Sequence, residues 1–171
     1  MSLAVLDYGL FKVHSNGRII GICGYLIGTS ADEYVLIDSG FPRKYAQDFV
    51  AASTEDRLYE FGEVLVCGPD NLPESQLARC GVDPDAIDLV IQTHTHIDHI
   101  GGIADFTQAP MLIAAAERAL PRPLYWGGVQ PLQWPDRQYV ILDEDCDIGP
   151  GFSVMLAPGH APGQLAMMVK L

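Results

Sequence analysis

An α/β or α+β sandwich is the fold class this sequence predicts, and three observations carry the prediction. The first forty residues alternate apolar stretches with turn signals. Helical segments follow, interleaved with further strands. Hydrophobic residues make up 49% of the chain against 19% charged, enough apolar side chain for a real core and too much for disorder. At 171 residues the chain has the size of one domain, and residues 1–171 read as a single unit without repeats or low-complexity tracts.

Leu10–Val13, Ile19–Ile27 and Tyr34–Ile37 read as strands, separated by Ser15-Asn16-Gly17 and by Thr29–Glu33. They form an antiparallel meander whose last strand ends in Asp38-Ser39-Gly40. A helical pattern covers Arg43–Ala52, and Ser53 to Pro73 shows no clear period. Glu74–Cys80 reads as a helix closed by Gly81, whose missing side chain suits a left-handed C-cap. After the turn Asp83-Pro84-Asp85, Ile87–Gln92 is a short apolar run, the look of a buried parallel strand. Met111–Ala114 is the next strand and Ala115–Ala119 a short helix. Pro121 to Arg137, rich in Pro, Gly and aromatics, reads as a long loop. Tyr139–Leu142 and Phe152–Ala157 are strands joined by an acidic turn, Asp143–Gly151. The turn Pro158–Gly163 then leads into a strand, Leu165–Leu171.

Ten Lys and Arg against twenty-two Asp and Glu leave a formal charge of −12. Such a chain repels phosphate backbones and anionic lipid, which argues against nucleic-acid or membrane-surface partners and leaves a small molecule. No apolar run is long enough to span a bilayer, and no secretory pattern opens the chain. Four cysteines without a CxxC pair read as reduced thiols and place the protein in the cytoplasm.

The chemistry concentrates after the apolar run ending at Gln92, where His94, His96, Asp98 and His99 fall within six residues. In an extended segment residues i and i+2 point to the same side, so His94 and His96 reach one metal together. Asp98 and His99, past the strand end, can turn toward a second metal. His160, in a Gly- and Pro-bounded turn, closes the first site as its third protein ligand. Three protein ligands with an open position describe a catalytic zinc site, not a closed structural one. Asp38, a carboxylate at a strand end, either orients a ligating imidazole or caps its turn. Tyr125, Trp126 and Trp134, with Leu124, either line an apolar substrate pocket, form the contact of a homodimer, or fold back on the core. The acids Asp143, Glu144, Asp145 and Asp147 lack oxygen-ligand spacing and read as a solvated turn. His14 reads as a turn neighbour.

These motifs resemble those of the metallo-β-lactamase superfamily: HxHxDH stands as His94-Thr95-His96-Ile97-Asp98-His99, and the later turn as Pro158-Gly159-His160-Ala161-Pro162-Gly163. Asp38-Ser39-Gly40 is similar to the family's early Asp–Gly motif. The resemblance implies an α+β fold, an αββα sandwich with the metal site at one edge of its two sheets. Within the superfamily the chain looks most like N-acyl homoserine lactone lactonases, through the long segment between Gly40 and His94 and the stretch Ile97–Gly102. That resemblance implies two Zn²⁺ (Fe, Mn or Co serving as well) and hydrolysis of a lactone by a metal-bound hydroxide, with Asp98 passing the proton to the leaving oxygen. Thioesterase, phosphodiesterase and β-lactamase activities share the scaffold. The family completes its two-metal site with a bridging Asp and a further His beyond the strand that follows the PGH turn. This chain stops inside that strand, so the expectation is of a fold incomplete at its C-terminus, and of an inert fragment as the alternative.

Overall fold

A computed structural model describes all of residues 1–171. Ten strands and three helices occur in the order β1 (Ser2–Val13), β2 (Ile19–Gly28), β3 (Tyr34–Ile37), α1 (Arg43–Glu55), β4 (Gly62–Val66), α2 (Pro73–Arg79), β5 (Ile87–Ile91), β6 (Met111–Ala114), α3 (Ala115–Arg118), β7 (Tyr139–Leu142), β8 (Cys146–Gly149), β9 (Phe152–Leu156) and β10 (Leu165–Val169). Seven strands form one mixed sheet in the order β4-β1-β2-β3-β5-β6-β7, and β10-β9-β8 form an antiparallel second sheet. The meander β1-β2-β3 is antiparallel, whereas β3, β5, β6 and β7 run parallel to their neighbours.

The period-two geometry of a strand explains how one sheet serves two cores. Leu26, Leu36, Val90 and Met111 face the layer of α1 and α2, packing with Tyr45, Ala52 and Leu77. Their chain neighbours Ile27, Val35, Ile37, Ile91 and Leu112 face the second sheet, packing with Phe152, Val154 and Leu165. Both faces are covered, so β3 and β6 read as unbroken apolar runs and β5 as one interrupted only by the exposed Asp88. The structure therefore contains the two sheets and one helical layer of the expected αββα arrangement, and no helix is long and apolar enough to cross a membrane.

Four elements depart from the sequence pattern. Strand β1 begins at Ser2, not Leu10, because a bulge at Gly9 shifts its register and breaks the alternation. Gly9 has φ +118°, and a side chain there would strike the carbonyl of Val66. Strand β4 lies in the segment that shows no period; it is a short edge strand with only Gly62 and Val64 buried. Strand β8 occupies the middle of the acidic stretch expected as a turn, pairing Cys146 with Val154 and Asp147 with Ser153. It is an edge strand, where charge guards against stray pairing, so acidic composition and strand geometry coexist. Helix α1 breaks at Asp48, whose carboxylate accepts from Val50 N at 3.1 Å and Ala51 N at 2.9 Å and so caps the second half.

Ile91 is fully buried between the sheets, whereas Val50 on α1 is 67% exposed. Ile91→Ala is expected to cost about 2–5 kcal/mol in urea unfolding and Val50→Ala less than about 0.5 kcal/mol. Equal midpoints for the two variants would contradict an intersheet core.

Candidate metal centre

The site forms where β3 and β5, adjacent and parallel, deliver their loops at the same edge, the position where open α/β sheets bind ligands. Asp38 follows β3 with φ 59°, a left-handed conformation that Asp tolerates better than most residues. Its backbone N–H donates to Ile91 O at 3.0 Å. Its buried carboxylate accepts from Thr93 N at 2.8 Å, Thr93 Oγ1 at 2.6 Å, Gln92 Nε2 at 3.1 Å and His99 Nδ1 at 2.8 Å. Gln92 Nε2 also donates to the carbonyls of His94 and His99. One carboxylate thus ties the end of β3 to the whole turn after β5.

The same network orients His94. The single hydroxyl proton of Thr93 goes to Asp38, so toward His94 Nδ1, 3.0 Å away, Thr93 Oγ1 accepts. The proton of His94 therefore sits on Nδ1, and Nε2 keeps a lone pair. That Nε2 is buried and has no hydrogen-bond partner. Beside it His96 Nδ1 and His160 Nε2 lie 2.9 Å apart, and one ligand atom from each of His94, His96 and His160 falls within 4.8 Å of the others. The three grade from buried His94 through half-buried His96 to exposed His160. A buried lone pair without a donor, converging with two more ring nitrogens, fits a divalent ion. Burial, then the neighbouring His99, His96 and His160, push His94 down to about 2, which holds it in the neutral form that ligates. Burial and then His160 also lower His96, with Asp98 and Glu117 pulling back. Burial opposes charge on His99, but the carboxylates of Asp38 and Asp98 outweigh it and raise the ring to about 9.

Asp98 and His99 lie beside this triad, with Asp98 Oδ2 3.5 Å from His99 Nε2, on the same cavity of about 540 Å³. Phe11, Ile20, Phe41, Leu58, Phe61 and Trp126 wall that cavity, and Arg18 is its one Lys or Arg. Tyr125 lines it too, but is buried with its hydroxyl turned to Asp56 Oδ2 at 2.6 Å. Trp134 does not reach it. Its ring stacks under Arg118 and its Nε1 donates to Leu120 O at 2.8 Å, because the loop folds back there onto α3 and β7.

Two acids to which the sequence reading gave no role, Glu117 and Asp56, help hold the histidines in place. Glu117 accepts from Thr95 N at 2.8 Å, Thr95 Oγ1 at 2.6 Å and Gly163 N at 3.1 Å. Thr95 O in turn accepts from Tyr125 N at 2.8 Å, and Asp56, the C-cap of α1, anchors Tyr125. Leu165 N donates to Thr93 O at 2.8 Å, joining the second sheet to the same turn.

The model of the metallo-beta-lactamase superfamily matches residues 24–171. The chain belongs to that superfamily. Among its members, the N-acyl homoserine lactonase AiiA of Bacillus thuringiensis subsp. kurstaki is 28% identical over 152 residues, covering 85% of this chain and 57% of the relative. The chain thus spans just over half the length of this curated relative. A solved quorum-quenching N-acyl homoserine lactone hydrolase shares the fold with a TM-score of 0.77 at 23% identity, over 98% of this chain and 68% of that one. A second, an N-acyl homoserine lactone hydrolase with the product N-hexanoyl-L-homoserine bound at its catalytic metal center, gives 0.74 at 23% identity over 96% and 68%.

In metal-free, ¹⁵N-labelled protein the ring nitrogens of His94 should report a proton on Nδ1 and none on Nε2. Thr93→Val removes the acceptor and should shift that balance toward the Nε2–H tautomer. Unchanged ring shifts in the variant would sink the Asp38–Thr93–His94 relay.

Proposed function

We propose that this superfamily member is a metal-dependent hydrolase that opens an ester-like bond, namely the lactone of an N-acyl homoserine lactone. The observation that carries the reading is the convergence of His94, His96 and His160 nitrogens within 4.8 Å, one of them buried and without a partner, on an apolar-walled cavity. The naming of the curated relatives as N-acyl homoserine lactonases supports the substrate, as does the product described in the second solved structure.

In this reading His94, His96 and His160 hold a first divalent ion, and Asp98 and His99 offer donors to a second. Zn²⁺ is the ion we assign; imidazole and carboxylate donors also accept Fe, Mn or Co. A divalent ion held there supplies Lewis acidity toward a carbonyl oxygen and a nucleophile at neutral pH. Asp98, half-buried on the cavity, moves a proton from the attacking water to the leaving ring oxygen. Asp38 keeps His99 and, through Thr93, His94 turned toward the reacting centre. Phe11 stacks on Phe61 at 5.8 Å between centroids and Phe61 meets Trp126 at 4.8 Å, a wall that takes the acyl arm. Each methylene buried there contributes about 0.8 kcal/mol. Four free thiols support a reducing compartment, the cytoplasm.

Metal analysis should find Zn²⁺ in the parent and lose the first ion in each of His94→Ala, His96→Ala and His160→Ala; unchanged content in any of them removes that residue from the ligand set. Asp98→Asn should keep metal yet lose turnover by about 10²–10⁴-fold. Near-parental turnover would end its proton-transfer role. Against a panel of lactone, thioester, phosphodiester and β-lactam, the zinc-loaded chain should favour the lactone. A loaded chain that is inert toward all four overturns the reading in favour of a half-site without chemistry.

A further inference from the structure

Asp38, Asp56 and Glu117 are the acidic residues that this fold buries. Two of them have a cation at hand: Lys44 Nζ lies 2.8 Å from Asp56 Oδ1, and His99 Nδ1 lies 2.8 Å from Asp38 Oδ2. Glu117 is 0% exposed and pairs with no cationic side chain. Its partners are Thr95 N and Thr95 Oγ1 on one oxygen and Gly163 N on the other. Thr95 Oγ1 already accepts from Leu124 N at 2.9 Å, so its own proton points to Glu117. Every partner donates, which is the environment of an acceptor-only carboxylate. A buried carboxylate without a counter-charge is costly, and a nearby cation offsets that cost.

The segments that Glu117 joins are the ones that bear the histidines. Thr95 stands between His94 and His96, and Gly163 ends the turn that carries His160. The fit at Gly163 is tight: a Cβ there would lie 2.5 Å from Glu117 N and 2.6 Å from its Cβ. Glu117 itself is fixed by α3, which follows directly on the fully buried strand β6. We propose that Glu117 is the positioning residue of the metal centre, holding the His94–His96 segment and the His160 turn at one separation through its two oxygens, with the divalent ion as its counter-charge. The inference rests on the metal reading above and adds a residue that the HxHxDH and PGH motifs do not contain.

Zn²⁺ affinity by chelator competition, together with the d–d spectrum of the Co²⁺-loaded chain, tests it. Glu117→Gln keeps the shape but removes the charge and turns an amide N–H₂ toward one of the donors. It should weaken Zn²⁺ binding by about 10–100-fold and alter the Co²⁺ bands. Thr95→Val should act in the same direction, and Thr95→Ser, which restores the hydroxyl, should return the parental affinity and spectrum. Leu77→Ala, fully buried under the sheet on α2, is the stability control and should leave both unchanged. Should Glu117→Gln fail to fold, the Thr95→Val and Thr95→Ser pair decides. Parental affinity and bands in Glu117→Gln, or a loss no larger than in Leu77→Ala, overturn the role of Glu117 alone. A parent chain that takes up no divalent ion overturns the metal reading and this inference with it.

Discussion

The carboxylate of Asp38 is the constraint on which the rest of the site depends. Four donors reach it: two from Thr93, one from Gln92 and one from His99. Hydrogen bonds to a charged group contribute about 1.5–3 kcal/mol each, and an abandoned buried donor costs about as much again. The turn after β5 therefore has no comparable alternative packing once the Asp38 network has formed. Because the acceptor is a charge and not a neutral amide, it dictates tautomers as well as positions. His99 must present an N–H to it, and Thr93, having spent its proton there, must accept from His94. The direction of one lone pair on His94 is thus decided two residues away in space, by an acid at the end of a different strand.

Parallel pairing of β3 and β5 makes that network possible. Two adjacent parallel strands end on the same side of a sheet, so Asp38 and Thr93 emerge side by side although fifty-five positions separate them. An antiparallel pair would send one of them to the opposite edge. The apolar cost of covering both faces is met by the alternation of Leu36 against Ile37 and Val90 against Ile91, one of each pair toward the helices and one toward the second sheet. Core and site are consequently the same statement about register: a one-residue slip of β5 would turn Val90 toward the second sheet and Ile91 toward the helices, and would carry Thr93 out of register with Asp38.

How much of this was legible in the sequence follows from the range of each signal. The HxHxDH cluster was visible because its residues are neighbours in the chain and a strand places i and i+2 on one side. The parallel strand Ile87–Ile91 was visible because burial on both faces leaves the apolar stretch Leu89-Val90-Ile91, with Asp88 alone pointing out. Strands β4 and β8 were not, since short edge strands bury few side chains and β8 carries acids that read as turn chemistry. Trp134 looked like a pocket aromatic; its role beneath Arg118 depends on how a seventeen-residue loop folds back, which no local pattern encodes. Glu117 was hidden for the opposite reason. A single Glu after three alanines resembles a surface helix, and only its place directly behind the fully buried run Met111–Ala114 hints that it points inward.

His160 shows how a core can position a histidine that is itself outside it. The residue is exposed, and its ring meets those of His96 and His94 edge-on at 4.5 and 5.0 Å between centroids. Its location comes from the β9–β10 hairpin: Ala157 N donates to Gln164 O at 2.8 Å, the rung that closes a loop of residues 158–163. That hairpin sits where it does because Phe152, Val154 and Leu165 fill the space over Ile27, Ile37 and Ile91. Leu165 N then donates to Thr93 O, and Gly163 N to Glu117, so both ends of the turn's second limb are pinned to the segment that bears His94 and His96. Hydrophobic packing between two sheets supplies the coarse placement, to within reach of a hydrogen bond. Two backbone N–H groups supply the fine placement. Together they bring the exposed ring to the cavity, with its Nε2 2.9 Å from His96 Nδ1.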